Sequence, residues 1–345
     1  MTPLPTLGGV NGGVSAINNQ GEAAGVAENS VSDSTCIKPL QHHFEAVIWG
    51  PKRGEIRELR PLPGDSVAFA FWLNDNGQVV GTSGLCENTL PTGVVSGPHA
   101  VLWEKDGSVH DLGNLGGTVN TDLVAVGNRA IGINNQGEVV GGSTLPGNTT
   151  AHAFLWTKET GMRDLGTLPG DFNSGALGIN DKGQVVGVSN DLSGNPRAFL
   201  WQKGMGMTDL NKLVVKDSPL YLLFAAGIDS RGEIAGFGLT STGDVHAFLA
   251  TRAPTGASAG PKNATVIARQ ITLDGTASFS VDDEPLTYQW SIPQGSPQAA
   301  ILHGNTATPE VQFASGRNFY SFQLTVTDST GESATGLVTV NFQGN

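Results

Sequence analysis

The stretch Ile133–Gly141 reads Ile-Asn-Asn-Gln-Gly-Glu-Val-Val-Gly, a polar turn between two apolar runs. Asparagine and glycine are the residues that best tolerate the positive φ angles of a tight hairpin. Two further short apolar runs follow, His152–Trp156 (His-Ala-Phe-Leu-Trp) and Met162–Leu165 (Met-Arg-Asp-Leu). The stretch and its continuation therefore predict a small antiparallel sheet of short strands joined by turns.

The same pattern occurs five times along the chain. The turns are Ile17–Gly21, Leu73–Gly77, Ile133–Gly137, Ile179–Gly183 and Ile228–Gly232, which begin 56, 60, 46 and 49 residues apart. Intervals of this length are typical of β-propeller blades and longer than those of most short solenoid repeats. We number these copies one to five in chain order, and each predicts one four-stranded blade.

The fifth copy ends at Ala250, before its fourth strand. At the other end of the chain, Leu4–Gly9 (Leu-Pro-Thr-Leu-Gly-Gly) is similar to Leu165–Gly170 (Leu-Gly-Thr-Leu-Pro-Gly) of copy three. A ring that is closed by its own N-terminal strand would leave no exposed sheet edges. The sequence thus predicts an all-β protein in which residues 1–252 form a five-bladed β-propeller closed by the N-terminal strand.

The C-terminal part of the chain has a different pattern. Residues 253–262 are rich in small residues, glycine and proline, and predict a linker. Residues 263–345 contain alternating strands around Trp290, which is typical of a small Ig-like β-sandwich with a buried tryptophan.

Both parts resemble known families. The Ile-Asn-x-x-Gly-x-Val-Val-Gly turn with its His-Ala-Phe-Leu-Trp strand is similar to the bacterial HAF repeats, which implies an extracellular or periplasmic protein. The runs Leu273–Ser278 and Asp282–Trp290 resemble the PKD domain, a module that often accompanies catalytic or binding domains in secreted bacterial proteins. Asp283-Glu284 stands where that family often has Asp-Gly-Asp, so the usual turn there is in doubt.

The overall charge narrows the range of partners. A formal net charge of −12 disfavours a surface for nucleic acid, and no apolar run is long enough for a membrane span. No secretion signal is recognisable in this chain, so export implies a signal that is absent from it. The oligomeric state is not predicted by these features.

The two cysteines, Cys36 and Cys86, lie in loops between the second and third strands of copies one and two. Equivalent loops of adjacent blades emerge on the same face, so a disulfide bond between them is reasonable in an exported protein. Two unrelated thiols are the alternative.

Residues that recur in every copy are interpreted as scaffold. His99, His152 and His246 begin the third strand, but Glu45 and Arg197 hold the same position, which favours a structural role over a ring of metal ligands. The tryptophans that end this strand are better explained by packing between blades than by sugar binding.

Candidate functional residues are therefore sought in the loops in which the copies differ, above all Gly113–Arg129. The acidic candidates for an acid and base pair in hydrolysis are Asp65, Asp122, Asp171 and Asp217. The candidates for ligand binding are His42, His43, Glu87 and Asp122. Ordinary turn and surface roles are the alternative for these side chains.

Calcium is the one cofactor that the sequence suggests, since clustered carboxylates are its preferred ligands. The predicted Ca²⁺ ligands of the sandwich are Asp282, Asp283, Glu284 and Asp328. The leading hypothesis is an exported protein that binds a glycan or another extracellular small molecule through the propeller loops. The alternatives are a Ca²⁺-dependent hydrolase of a lactone or glycoside, and a structural surface or matrix protein.

Overall fold

The computed structural model describes residues 3–34, 36, 42–86, 99–117, 128–214, 218–251, 256–260, 263–280, 285–314, 316–329 and 331–344. The chain divides into two compact units, Met1–Thr251 and Arg252–Asn345. No helix among the described residues has the length and hydropathy that a membrane crossing requires.

The first unit consists of five antiparallel sheets, each built from strands that are consecutive in the chain. The sheets are β1 (Gly8–Ile17), β2 (Ala23–Ser32), β3 (His42–Trp49) and β4 (Ile56–Leu59); β5 (Val67–Leu73), β6 (Val79–Gly84), β7 (His99–Trp103) and β8 (Val109–Asp111); β9 (Arg129–Ile133), β10 (Val139–Thr144), β11 (Ala151–Thr157) and β12 (Gly161–Gly166); β13 (Asn173–Ile179), β14 (Val185–Asn190), β15 (Pro196–Gln202) and β16 (Gly206–Asp209); and β17 (Leu220–Ile228), β18 (Ile234–Thr240) and β19 (Val245–Ala250). We call them sheets one to five. A single turn of 3₁₀ helix, Leu210–Lys212, follows β16.

The core of this unit lies between neighbouring sheets. Each sheet places one apolar face against the sheet before it and the other against the sheet after it. Between sheets two and three, for example, Val80 and Leu102 pack against Ile133, Val139 and Phe154. Alternation of side chains along each strand supplies both faces, which explains why Val-Val pairs recur in the second strand.

The glycine that follows each Val-Val pair is required by close backbone approach. A Cβ atom on Gly141 would overlap the carbonyl oxygen of Arg129 on the adjacent strand β9. The register of β9 shifts between the pairs made by Val140 and Gly141, which is typical of a β-bulge. The same conflict would arise in sheets two, four and five, so this repeated glycine is structural.

The predicted closure by the N-terminal strand is not what the structure shows. Leu4–Gly9 lies against sheet one, where Leu7 makes a bridge to Asn29 and packs on Val47 and Trp49. Sheet five has three strands among the described residues, and no sheet in that part of the chain closes on itself. The all-β class is confirmed, but a closed five-bladed propeller is not.

The complete copies give the physical reason for this difference. In copy one, Arg60 follows the fourth strand, and its carbonyl accepts a hydrogen bond from Trp103 Nε1 of the next sheet at 2.7 Å. Pro5 accepts the same bond from Trp49 Nε1 at 2.8 Å. Leu4–Gly9 therefore corresponds to the connection after a fourth strand, whose residues pack on the sheet that follows.

The second unit is the predicted Ig-like sandwich. One sheet has the order β20 (Asn263–Val266), β26 (Ser333–Phe342), β25 (Asn318–Thr327) and β22 (Thr287–Ser291), and the other β21 (Gln270–Thr272), β24 (Glu310–Phe313) and β23 (Ala299–Leu302). Among these described strands, only β20 and β26 pair in parallel. Trp290 is buried between the sheets, and its Nε1 donates to the carbonyl of Thr306.

Part of the predicted linker belongs to this sandwich. Gly256 pairs with Phe279, and Ala259 is buried in the same core as Trp290. The sequence reads as a linker because its residues are small, but small side chains also allow a close approach. Gly336, for example, has no room for a Cβ atom beside the carbonyl of Ala257.

Candidate functional site

The first residue of each turn organises the loop that follows its strand. In copy three, Asn134 Oδ1 accepts hydrogen bonds from the backbone N–H groups of Gln136 and Glu138 at 3.1 and 2.9 Å. Asn18, Asn74, Asn180 and Asp229 make the equivalent bonds in the other copies. The closing glycine has a positive φ in all five copies, 79° at Gly137, as the hairpin pattern predicts.

The same asparagines also join neighbouring sheets. The Nδ2 group of Asn134 donates to the carbonyl of Asn180 at 3.1 Å, and Asn180 Nδ2 donates to the carbonyl of Asp229 at 2.9 Å. Asn18 and Asn74 donate in the same way to the next copy, so four bonds connect the five turns in sequence order. Asp229 has a carboxylate in place of the donating amide, so it cannot extend the series.

A second row of polar side chains lies beside the first. Asn135 donates through its backbone N–H and its Nδ2 to the two oxygens of Asp181, at 2.8 and 3.0 Å. Asn19 makes the same pair of bonds to Asp75, and its side chain lowers the pKa of that carboxyl group. These bonds leave further lone pairs on both carboxylates, because each oxygen can accept more than one hydrogen bond.

The turns surround one cavity of about 290 Å³, which we call the central cavity. All five copies contribute to it. Its lining residues are Ile17, Asn18, Asn19, Trp72, Leu73, Asn74, Asp75, Ile133, Asn134, Asn135, Ile179, Asn180, Asp181, Ile228 and Ser230. The sequence analysis treated these regular turns as scaffold, whereas the structure brings them together as the wall of a cavity.

Trp72 is the irregular residue of this wall. The other copies place Ala16, Gly132, Gly178 and Gly227 at its position in the register. Small residues allow the first strands to approach closely, since a Cβ atom on Gly178 would lie 3.2 Å from the Cα of Gly227. Trp72 is nevertheless 48% exposed, and a comparison of the five copies at this position would have identified it.

The predicted acid and base candidates do not form a pair in the structure. Asp65 precedes sheet two and accepts a hydrogen bond from Ser83 Oγ at 2.6 Å. Asp171 precedes sheet four and forms an ion pair with Arg197 at 2.7 Å, which also raises the pKa of that arginine. Both carboxylates therefore stabilise their own sheets, and Asp122 and Asp217 lie outside the described residues.

The predicted ligand-binding residues lie at the far end of sheet one. His42 Nδ1 is 3.2 Å from Glu28 Oε1, and His43 Nε2 is 2.9 Å from Asp33 Oδ2. Glu87 and Asp122 lie outside the described residues, as does much of the predicted loop Gly113–Arg129. Neither histidine lines the central cavity.

Cys36 and Cys86 form a disulfide bond, with their Cα atoms 4.6 Å apart. This bond joins the loops of copies one and two, 50 residues apart in sequence. Asp33 lies close to both sulfur atoms and completes the one cluster of candidate metal ligands in the described residues. Sulfur atoms held in a disulfide are not thiolate ligands, so the cluster does not fit a metal.

The histidines that begin the third strand are paired within their sheets. His152 Nδ1 lies 2.9 Å from Asp164 Oδ2, and His99 Nδ1 lies 3.0 Å from Asp111 Oδ2. In sheet one the same position holds Glu45, which is buried and accepts a hydrogen bond from Asn29 Nδ2 on one oxygen. Burial, with a contribution from the charge of Glu58, raises the pKa of Glu45 to about 8.

The calcium site predicted in the sandwich stays a prediction. Asp282, Asp283 and Glu284 lie outside the described residues. The carboxylate of Asp328 accepts a hydrogen bond from the backbone N–H of Glu332 within its own turn. Nothing in the described residues brings a second carboxylate of the predicted set to Asp328.

Comparisons with known proteins identify the C-terminal unit. Residues 259–342 match a PKD domain family, the one described as like that of the KIAA0319-like protein. Over 93 residues the chain is 39% identical to the dyslexia-associated protein KIAA0319-like protein of Mus musculus, and over 92 residues 37% identical to the dyslexia-associated protein KIAA0319 of Homo sapiens. Each match covers 26% of this chain, but only 9% and 8% of those relatives.

Among solved structures, the PKD domain from the KIAA 1837 protein is 26% identical, and the match covers 28% of this chain and 93% of that one, with a TM-score of 0.24. The score is too low for an argument from shape, so the identification depends on the sequence matches. These matches do not extend to the HAF resemblance of the first unit. The C-terminal unit of this chain is accordingly a PKD domain of the KIAA0319-like kind.

Proposed function

We propose that this chain is part of an exported protein that binds a saccharide in the central cavity. The observation that carries the proposal is Trp72, an exposed indole in a wall otherwise formed by aliphatic, amide, hydroxyl and carboxylate side chains. Saccharides present apolar C–H faces that stack on aromatic rings and hydroxyl groups that need donors and acceptors. The cavity offers both kinds of contact.

The polar part of the wall is preorganised for such a ligand. Asp75 and Asp181 are each fixed by two hydrogen bonds from the neighbouring copy, so their remaining lone pairs point in set directions. Groups that are already held in place lose little conformational entropy when a ligand binds. A ring of fixed acceptors beside one aromatic face suits a hydroxyl-rich molecule better than an apolar one.

The size of the cavity limits the ligand. A volume of about 290 Å³ is at the lower end of the range of roughly 300–1,000 Å³ that is usual for small-molecule sites. We therefore expect a monosaccharide, or one terminal sugar of a longer glycan, to enter the cavity.

The proposal includes a propeller-like arrangement of the five sheets around this cavity. Supporting it are the hydrogen bonds that link the five turns in order and the contribution of every copy to the cavity wall. The PKD domain and the disulfide bond support an extracellular or periplasmic location, because disulfides persist in oxidising compartments. Calcium binding and hydrolysis of a lactone or glycoside stay predictions, without a specific observation in their favour.

The test is a binding experiment with the full chain and Trp72→Ala. Purified protein is screened on an array of short saccharides, and the best binder is measured by calorimetry. We expect Trp72→Ala to weaken binding at least about tenfold, or about 1.4 kcal/mol. Tyr221→Ala is the matched control, since Tyr221 is 47% exposed and does not line the central cavity.

Two results would overturn the proposal. One is a wild-type protein that binds no saccharide on the array. The other is saccharide binding that Trp72→Ala leaves unchanged, which would move the site to another surface of the chain.

A further inference from the structure

Neighbouring sheets of the repeat unit pack through the same two faces each time. We call the face toward the next sheet the forward face, and the face toward the previous sheet the backward face. Between sheets four and five, the forward face supplies Val186 and Ala198, and the backward face supplies Leu222, Ala225 and Ile234. Four such interfaces occur within the described part of the chain.

The forward face of sheet five has no neighbour among the described residues. Ala235 pairs with Leu249 as Val186 pairs with Leu200 in sheet four, so Leu249 is equivalent to Leu200. Leu200 packs in the interface with sheet five, whereas Leu249 is 64% exposed and Phe237 on the same face is half exposed. Sheet five thus presents an apolar forward face to solvent.

The backward face of sheet one is open as well. By the same register Val14 is equivalent to Ala225 and Ile17 to Ile228. Ala225 is fully buried in its interface, but Val14 is 54% exposed and Ile17 is more exposed still. The N-terminal residues cover only the part of this face near Trp49.

A groove remains on sheet one between those N-terminal residues and β1. It has a volume of about 340 Å³ and is lined by Pro3–Thr6, Val10, Gly12–Val14 and Trp49. In the complete interfaces, a leucine of the preceding forward face packs beside the tryptophan equivalent to Trp49, as Leu155 does with Trp201. The groove is open where such a leucine would be placed.

We propose that the forward face of sheet five binds the backward face of sheet one in a second copy of this chain. Leu249 of one copy would enter the groove of the other, which continues the interface that the chain already uses four times. Both faces are open in one chain, so the two halves of this fifth interface are not packed on each other. Each chain carries one half of each kind, so the contact is head-to-tail and can extend to further copies.

This contact lacks one element of the internal interfaces. Asp229 cannot donate the hydrogen bond by which Asn134 and Asn180 hold the next copy. The association is therefore carried by apolar burial alone, and we expect it to be reversible and to depend on concentration.

The test measures the mass of the full chain by sedimentation velocity over a wide range of concentrations. Leu249→Asp removes the forward contact and Val14→Asp the backward contact, because each buries a charge in the interface. Leu192→Asp is the control, since Leu192 is exposed in the connection between β14 and β15. We expect self-association of wild type and control, and monomers for each of the two interface variants.

The decisive arm is an equimolar mixture of Leu249→Asp and Val14→Asp. Each variant keeps one intact face, so the mixture should form dimers and nothing larger. Circular dichroism establishes that both variants are folded. A wild type that stays monomeric at all concentrations, as expected if sheets five and one close the ring within one chain, would overturn the proposal. So would self-association that survives in both variants, and either result leaves saccharide binding a separate question.

Discussion

Sheets one and three carry the same repeat in different surroundings. Ile133 of sheet three and Ile17 of sheet one hold the same position before the turn, yet Ile133 is 3% exposed and Ile17 is 71% exposed. His152 pairs with Asp164 in sheet three, whereas the equivalent Glu45 of sheet one is buried near Glu58. The comparison shows that a repeated residue does not have a fixed role, because the neighbouring sheet determines whether it is core or surface.

The largest effect is expected from the two isoleucines. Ile133→Ala removes buried methyl groups and leaves a cavity between sheets two and three, so we expect a loss of about 2–5 kcal/mol in unfolding free energy. Ile17→Ala should change it by no more than about 0.5 kcal/mol, because the side chain is exposed. Calorimetric unfolding at low protein concentration, where copies do not associate, measures both. Equal losses would show that Ile17 is buried in solution.

The next effect concerns the buried carboxyl group of Glu45. Its pKa is raised from 4.5 to about 8, so the folded protein holds this proton more tightly than the unfolded chain. The resulting stabilisation is complete below about pH 4.5, decreases as pH rises and is lost above about pH 8. We expect wild type to lose about 3 kcal/mol relative to Glu45→Gln between pH 5 and pH 8.

Urea unfolding of both proteins at the two pH values measures this difference. The histidines titrate in the same range, but they are present in both proteins and cancel in the comparison. Glu58→Gln is the second variant, since removing that charge should lower the pKa of Glu45 without abolishing its shift. A Glu45→Gln protein with the same pH dependence as wild type would contradict the assignment.

The smallest of these effects tests the bonds between turns. Asn134→Asp retains the oxygen that accepts from Gln136 and Glu138 but loses the donor to Asn180, so copy three acquires the side chain that copy five has at Asp229. We expect a loss of about 1–2 kcal/mol, the usual cost of an unmade buried hydrogen bond. The reverse change, Asp229→Asn, should stay within about 0.5 kcal/mol, because it removes only an exposed pair with Arg231.

Thermal unfolding followed by circular dichroism distinguishes the two variants. A similar loss for both would mean that the turn itself, and not the bond to the next sheet, determines the effect.

Much of the local structure was predictable from the sequence. The strands, the turns with their positive φ glycines and the sandwich around Trp290 depend on hydrogen bonds and side-chain alternation within a few residues. These interactions leave periodic signals in the sequence. The PKD resemblance was readable for the same reason, and the family match over residues 259–342 confirms it.

The tertiary structure decided the features that depend on which sheet lies next to which. Leu4–Gly9 packs on sheet one because it corresponds to a connection and not to a strand. Trp72 lines the central cavity because the turns of five separate copies converge there, and Glu45 is buried at a position where His152 and Arg197 stay partly exposed. A repeat determines the fold of each sheet, but burial is a property of the pair of sheets in contact, and no single copy of the sequence records its neighbour.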